Sequence, residues 1–194
     1  MSAPSTEEFE LRFLVSEFPR DKVESSLHIY QEYLPGLVVI ENEFEAKWTG
    51  SRHSITLPQP VPFSMTTSLR QRFQSRSLES CLDAVRSNKI LPGVQGFWTI
   101  KGDKSAGRGY ELEWDITRPF DGEKFLGMRS LMKTRHLIPY LGMTIEVDVF
   151  NFEGRELIIA EVENPNPEFQ KQKPSWFGED ITDNKAYSNW NMAL

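Results

Sequence analysis

Glu8-Phe9-Glu10-Leu11-Arg12-Phe13-Leu14-Val15 alternates charged and apolar side chains as far as Phe13. Successive strand side chains point to opposite faces, so Glu8, Glu10 and Arg12 share one face, and Phe9, Leu11 and Phe13 the other. A period of two is the mark of a half-buried strand. The same pattern returns along the chain. Arg70 and Arg72 flank Gln71, Glu111 and Glu113 flank Leu112, and Lys133 and Arg135 flank Thr134. Glu146 and Asp148 flank Val147, and Glu161 and Glu163 flank Val162.

A single strand of this kind ordinarily has one wet face and one packed face. Here most of the pairs are purely acidic or purely basic, whereas a wet sheet would mix Ser, Thr, Lys and Glu. A closed sheet accounts for the set better: charged faces point into a lumen, and apolar faces point outward under covering elements. Burying so many charges is unfavourable unless they pair or bind ions. Carboxylates hold a hard cation such as Mg²⁺ or Mn²⁺ through oxygen. Arg and Lys hold phosphate oxygens, Arg often with two parallel bonds. Acidic and basic rows in one lumen therefore suit a metal polyphosphate.

Further strands are expected at Leu37–Ile40, Phe44–Trp48, Thr66–Gln74, Gly96–Gly102, Tyr110–Ile116, Met132–Ile138, Met143–Phe150 and Glu156–Glu163. Helices are expected at Asp21–Tyr33, at Ser77–Asn88, at Asp121–Leu131 and, briefly, after Thr182. Thr49–Pro62, rich in proline, reads as a loop or insertion, and Asn164–Ser175 as a connector. About eight strands with too few helices to cover a parallel sheet point to an α+β, mainly β, chain built on a closed antiparallel barrel.

The 194 residues suit one domain spanning 1–194. The formal net charge of −6 argues against broad nucleic-acid binding, which needs a basic footprint. Cys81 is the one cysteine, so no intrachain disulfide and no cysteine-based zinc site can form, and a reducing compartment, the cytoplasm, is expected. Met1–Glu10 does not read as a signal peptide, and no run approaches the ~20 apolar residues of a membrane span. His28, His53 and His136 are scattered in sequence, and Cys81 falls on the packed face of its helix.

In this order the segments resemble the CYTH, or triphosphate tunnel metalloenzyme, superfamily. The resemblance runs through Glu8-x-Glu10-x-Arg12, then Ile29, Gln31, Tyr33 and Leu34, then Arg70-x-Arg72 and Thr99-x-Lys101-Gly102. It continues through Glu111-x-Glu113, Lys133-x-Arg135, Glu146-x-Asp148-x-Phe150 and Glu161-x-Glu163, and closes on Trp176-Phe177-Gly178-Glu179-Asp180-Ile181-Thr182 with Tyr187 and Asn189. It departs from the family pattern at Arg12, where the family has lysine, and at Arg108, three rather than two residues before Glu111. The stretch between Tyr33 and Lys101 is also longer, with additions near 42–64 and 75–95.

The resemblance implies an eight-stranded triphosphate tunnel. It assigns the main Mg²⁺ or Mn²⁺ to Glu8, Glu10, Glu161 and Glu163. It assigns phosphate binding to Arg12, Arg70, Arg72, Lys101, Lys133 and Arg135, and places Glu111 and Glu113 as catalytic groups near the terminal phosphate and the attacking water. The expected activity is metal-dependent hydrolysis of inorganic triphosphate or a small organic or nucleoside triphosphate. The alternatives are a class IV-like adenylyl cyclase and a module that captures a nucleotide or polyphosphate without turnover. Among nucleic acids only an RNA 5′-triphosphate end fits. The chain is expected off the membrane, as a monomer or homodimer.

Overall fold

Two tight turns fix the register of the longest strands. Leu141-Gly142 and Glu153-Gly154 all have positive φ (48°, 74°, 51° and 84°), the left-handed pair that a two-residue hairpin demands and that glycine adopts without strain. These turns join Arg129–Tyr140, Met143–Phe152 and Arg155–Glu163 into a meander. The computed structural model describes residues 6–34, 37–39, 45–48, 54–56, 69–101, 106–116 and 129–194.

In chain order the strands are β1 (Thr6–Leu14), β2 (Ser25–Leu34), β3 (Leu37–Val39), β4 (Glu45–Trp48), β5 (Ser54–Thr56), β6 (Leu69–Ser75), β7 (Val94–Lys101), β8 (Arg108–Asp115), β9 (Arg129–Tyr140), β10 (Met143–Phe152) and β11 (Arg155–Glu163). Eight of them close into a barrel in the order β1-β11-β10-β9-β2-β6-β7-β8. Neighbouring strands are antiparallel. Strands β3, β4 and β5 form a separate three-stranded sheet.

Register carries the charged residues onto one face. Arg12 stands opposite Glu161, Glu161 opposite Glu146, and Asp148 opposite Arg135. Gln31 stands opposite Arg72, Arg70 opposite Thr99, and Thr99 opposite Glu113. That face lines the lumen. Across β1, β10 and β11 the outer face is apolar and covered. Phe13, Ile145, Val147, Ile158, Ala160 and Val162 pack with Phe169 of helix α2 (Pro167–Lys171) and with Trp176 and Phe177. Each such side chain fully buried is worth about 1.5–3 kcal/mol for the larger types. Helix α1 (Leu78–Ser87), with Ser77 accepting from the Ser80 amide, buries Cys81 and Ala84 against Phe73 and Val94. Cys81 is thus a packing residue.

Strand β1 follows β8 only as far as Phe9. Its free edge beyond that point is taken by residues 178–182: Gly178 donates to Leu14 (2.8 Å), Leu14 to Glu179 (2.9 Å) and Ile181 to Arg12 (2.9 Å). A Cβ on Gly178 would lie 2.8 Å from the Leu14 carbonyl oxygen, so this approach requires glycine. Beyond it come helix α3 (Asn189–Met192) and Leu194, which exchanges backbone hydrogen bonds with Ser130.

The helix expected at Asp21–Tyr33 is instead a 3₁₀ turn at Arg20–Lys22 followed by β2. Leu27, Ile29, Gln31 and Tyr33 share one face at a spacing of two, whereas Leu27 and Tyr30, which with Val23 suggest a helical stripe, lie on opposite faces of the strand, and Val23 precedes it. Most of the helix expected at Asp121–Leu131 lies outside the described residues, and Arg129–Leu131 already belong to β9. The stretch 49–62 contains β5, and the connector 164–175 contains α2. Among the described residues no helix is long and apolar enough to cross a membrane.

Candidate functional site

The lumen divides by sign. Strands β1, β10 and β11 bring Glu8, Glu10, Glu146, Asp148, Glu161 and Glu163 to one side. Facing or flanking them are Lys133 and Arg135 of β9, Arg70 and Arg72 of β6, and Lys101 of β7, with Glu111 and Glu113 of β8 completing the circle. The fold thus brings all twelve residues singled out from the sequence to one barrel interior or its mouth.

Arg135 organises the centre. Its Nε and Nη2 donate to the two Asp148 carboxylate oxygens, each at 2.7 Å, Nη2 also reaches Glu161 (2.6 Å), and Nη1 meets Glu146. Lys133, almost wholly buried, pairs with Asp148, which is fully buried. Burial pushes the Lys133 amine below its usual value, helped by Arg135 and opposed by Asp148. For Glu161 burial works toward neutrality, but Lys133, Arg12 and Arg135 together hold it well below the carboxylate range.

A second network spans β6, β7 and β8. Arg70 Nη2 donates to Thr99 (3.0 Å) and lies 3.3 and 3.4 Å from Glu111 and Glu113. Arg72 Nη2 donates to Glu113 (2.8 Å), and its guanidinium stacks 4.7 Å over Phe97. Thr99 also donates to Glu113 (2.8 Å). Lys101, at the mouth, pairs with Glu111. Burial would raise the Glu111 carboxyl, yet Lys101 and Arg70 bring it down to about 2. Arg72 goes the other way: burial and the Arg70 charge push it down despite Glu113. The Nε atoms of Arg70 and Arg72 are buried without a hydrogen-bond partner.

The acidic side carries the converse excess. Glu146 is raised to about 7 by burial and by Glu161 and Asp148, against the pull of Arg135. Glu163 is raised by burial and by Glu8. Among the described residues no three of His, Cys, Asp and Glu converge closely enough to enclose a metal ion. The two described histidines hydrogen-bond on the outer face, His136 with Ser26 (2.8 Å) and His28 with Thr134 (3.2 Å).

Toward one end the lumen turns apolar. Tyr33, Leu131, Phe150 and Ile159 pack with Ile181 and Ala193, and Trp190 meets Tyr33 edge-on at 5.5 Å. Arg12 stands between this floor and the carboxylates: Nε donates to Glu161 (3.0 Å) and lies 3.4 Å from Glu10, while Nη2 donates to the Tyr187 carbonyl (2.8 Å).

No family model matches the chain. An inorganic triphosphatase of Acetivibrio thermocellus is 32% identical over 101 residues, which are 50% of this chain and 65% of that protein. The chain therefore matches less than two thirds of that relative's length. An inorganic triphosphatase of Nitrosomonas europaea is 27% identical over 150 residues, 75% of this chain and 88% of that protein. The chain is thus similar in sequence to two inorganic triphosphatases, over half and three quarters of its length. A solved structure of the inorganic triphosphatase NE1496 aligns over 96% of this chain and 94% of its own, at 24% identity and a TM-score of 0.48.

Within this barrel the sequence left several lumen residues without a role, among them Gln31, Tyr33, Thr99, Glu146 and Asp148. Gln31 and Thr99 are almost wholly buried, and Tyr33 donates to Gln31 (3.1 Å). The signal was present for Asp148 in the Glu146-x-Asp148 pair. For Gln31 and Thr99 it lay only in their alternation with apolar neighbours, which reads the same for a wet face.

Proposed function

We propose that this barrel is a divalent-metal-dependent triphosphatase that hydrolyses inorganic triphosphate or a small organic triphosphate at its terminal phosphate, releasing orthophosphate. The carrying observation is the pair of buried guanidiniums, Arg70 and Arg72, each with an unpartnered Nε–H. A buried donor without a partner is costly, and an anion with several acceptor oxygens removes that cost. Named relatives that hydrolyse inorganic triphosphate support the substrate class.

The donor set on the other side suits Mg²⁺ or Mn²⁺. Glu8, Glu10, Glu161 and Glu163 offer only hard oxygens, and Glu163 and Glu146 are raised by burial and then by neighbouring carboxylates, a crowding that a bound cation would relieve. A cation bound there would screen the phosphate oxygens. The chain's own residues do the rest. Arg70, Arg72, Lys101, Lys133 and Arg135 orient the phosphates, and phosphoryl transfer depends mainly on such positioning and charge stabilisation. Glu111, held ionised, and Glu113 accept hydrogen bonds from a water at the terminal phosphate.

The test is a turnover screen of triphosphate, ATP, thiamine triphosphate and RNA bearing a 5′-triphosphate, with Mg²⁺ and with Mn²⁺. Orthophosphate from triphosphate is expected. Pyrophosphate with cyclic AMP from ATP would establish a cyclase instead, and tight binding without product would establish a capture protein.

A further inference from the structure

We propose that Arg12 is a latch for residues 181–194, not a phosphate ligand, and that by holding this segment across the floor of the lumen it sets the longest polyphosphate chain the lumen admits. The length limit rests on the proposed triphosphatase reading; the latch does not.

Arg12 is only 7% exposed, and two nitrogens of its guanidinium are committed within the chain, Nε to Glu161 and Glu10 and Nη2 to the Tyr187 carbonyl. Its backbone is committed to the same segment: its amide donates to Thr182 Oγ1 (3.1 Å) and its carbonyl accepts from Ile181. Arg70 and Arg72 differ, since each keeps a buried donor without a partner. A planar fork can span a carboxylate and a carbonyl at once, whereas the point charge of a lysine cannot hold both in fixed directions.

What Arg12 holds lies beyond the charged zone. Ile181 and Ala193 are buried with Tyr33, Phe150 and Ile159, and Trp190 closes on Tyr33. A phosphate chain advancing past Lys133 and Asp148 meets this apolar surface, where the neighbouring cation Arg129 is stacked over Trp190 (5.3 Å) and donates to its carbonyl. Chain length is then limited by how firmly the segment stays in place, and Arg12 acts as a positioning residue through it.

The test uses the full chain as wild type, Arg12→Lys and Arg12→Gln, followed by amide hydrogen exchange without substrate. With the charge-assisted bond lost, Tyr187, Ser188 and Leu194 amides should exchange about tenfold faster in both variants. Ile100 and Leu112, on β7 and β8 and outside the floor cluster, should keep their rates. With Mn²⁺ present, the turnover ratio of inorganic tetraphosphate to triphosphate should rise severalfold in Arg12→Lys. Unchanged exchange in both variants would overturn the latch, most decisively if the KM for triphosphate rose at the same time. Loosening of Ile100 and Leu112 in Arg12→Lys would overturn it in favour of a general role in the barrel. Faster exchange with an unchanged turnover ratio would overturn the length limit. A wild type that turns over neither substrate would sink the triphosphatase reading and the length limit with it, while exchange alone would still decide the latch.

Discussion

Glu146 and Glu161 are register partners on β10 and β11, two carboxylates side by side inside the barrel, and both lean on Arg135. One guanidinium serves two carboxylates and Asp148 as well. The result is unequal: Glu161 is held well down, and Glu146 is pushed up to about 7, first by burial and then by Glu161 and Asp148.

Without metal, stability should therefore fall as pH rises through this window. The folded state keeps a proton on Glu146 up to about 7, whereas the unfolded chain releases it near the usual value of 4.5. Between the two the folded state binds more protons, so unfolding becomes easier with rising pH. Glu146→Gln should be more stable than wild type at pH 8 by about 1–3 kcal/mol and equal to it at pH 4. Urea unfolding at both pH values in the presence of chelator checks this, and a difference of the same size at both would contradict it.

Asp148 answers Lys133 and Arg135 together from a fully buried position. Asp148→Ala leaves two buried cations short of an anion and should cost about 3–5 kcal/mol. Asp148→Asn keeps shape and one acceptor, so it should lose less. Chemical denaturation of the two variants gives the order.

Glu111→Gln and Glu113→Gln should lower kcat for triphosphate more than they raise KM, because their work is with the water in the transition state. Since Glu111 stays ionised down to about pH 2, it should contribute no acid limb to the rate profile above pH 4. A KM effect alone would reassign both residues to substrate binding.

Glu8→Gln and Glu163→Gln each remove one hard oxygen anion from the partly open end of the acidic side. Titration calorimetry with Mn²⁺ should show weaker binding by about tenfold in each, as the loss of an oxygen ligand predicts. Melting temperatures without metal should stay the same or rise, since Glu163 already suffers like-charge crowding from Glu8. Unaltered Mn²⁺ affinity in both would move the cation elsewhere.

The barrel was legible in Glu8-x-Glu10 and its later counterparts because lumen and outer face impose a strict period of two, which survives in the sequence whatever the tertiary context. Strand β2 was not legible. Gln31 and Tyr33 are lumen residues as polar as their outward neighbours Tyr30 and Glu32, so its two faces look alike in sequence. Partner choice within the lumen was also hidden. Nothing in the spacing says that Arg135 would divide itself among three carboxylates while Arg72 would stay underpaired, because that depends on barrel stagger across strands distant in sequence.

The seam between β1 and residues 178–182 has a consequence for synthesis. Arg12 and Glu161 are 149 residues apart, so the lower half of β1 has neither wall neighbour until nearly all of the described chain has left the ribosome. Contacts this distant form late and slowly. Until then Leu11 and Phe13 lie along an open strand edge, the kind of edge that recruits other chains. The interleaved Glu10 and Arg12 place a charge at every second position of that edge, and charges so placed discourage strand pairing between molecules. The residues that later face the lumen thus keep the nascent strand from aggregating before there is a lumen to face.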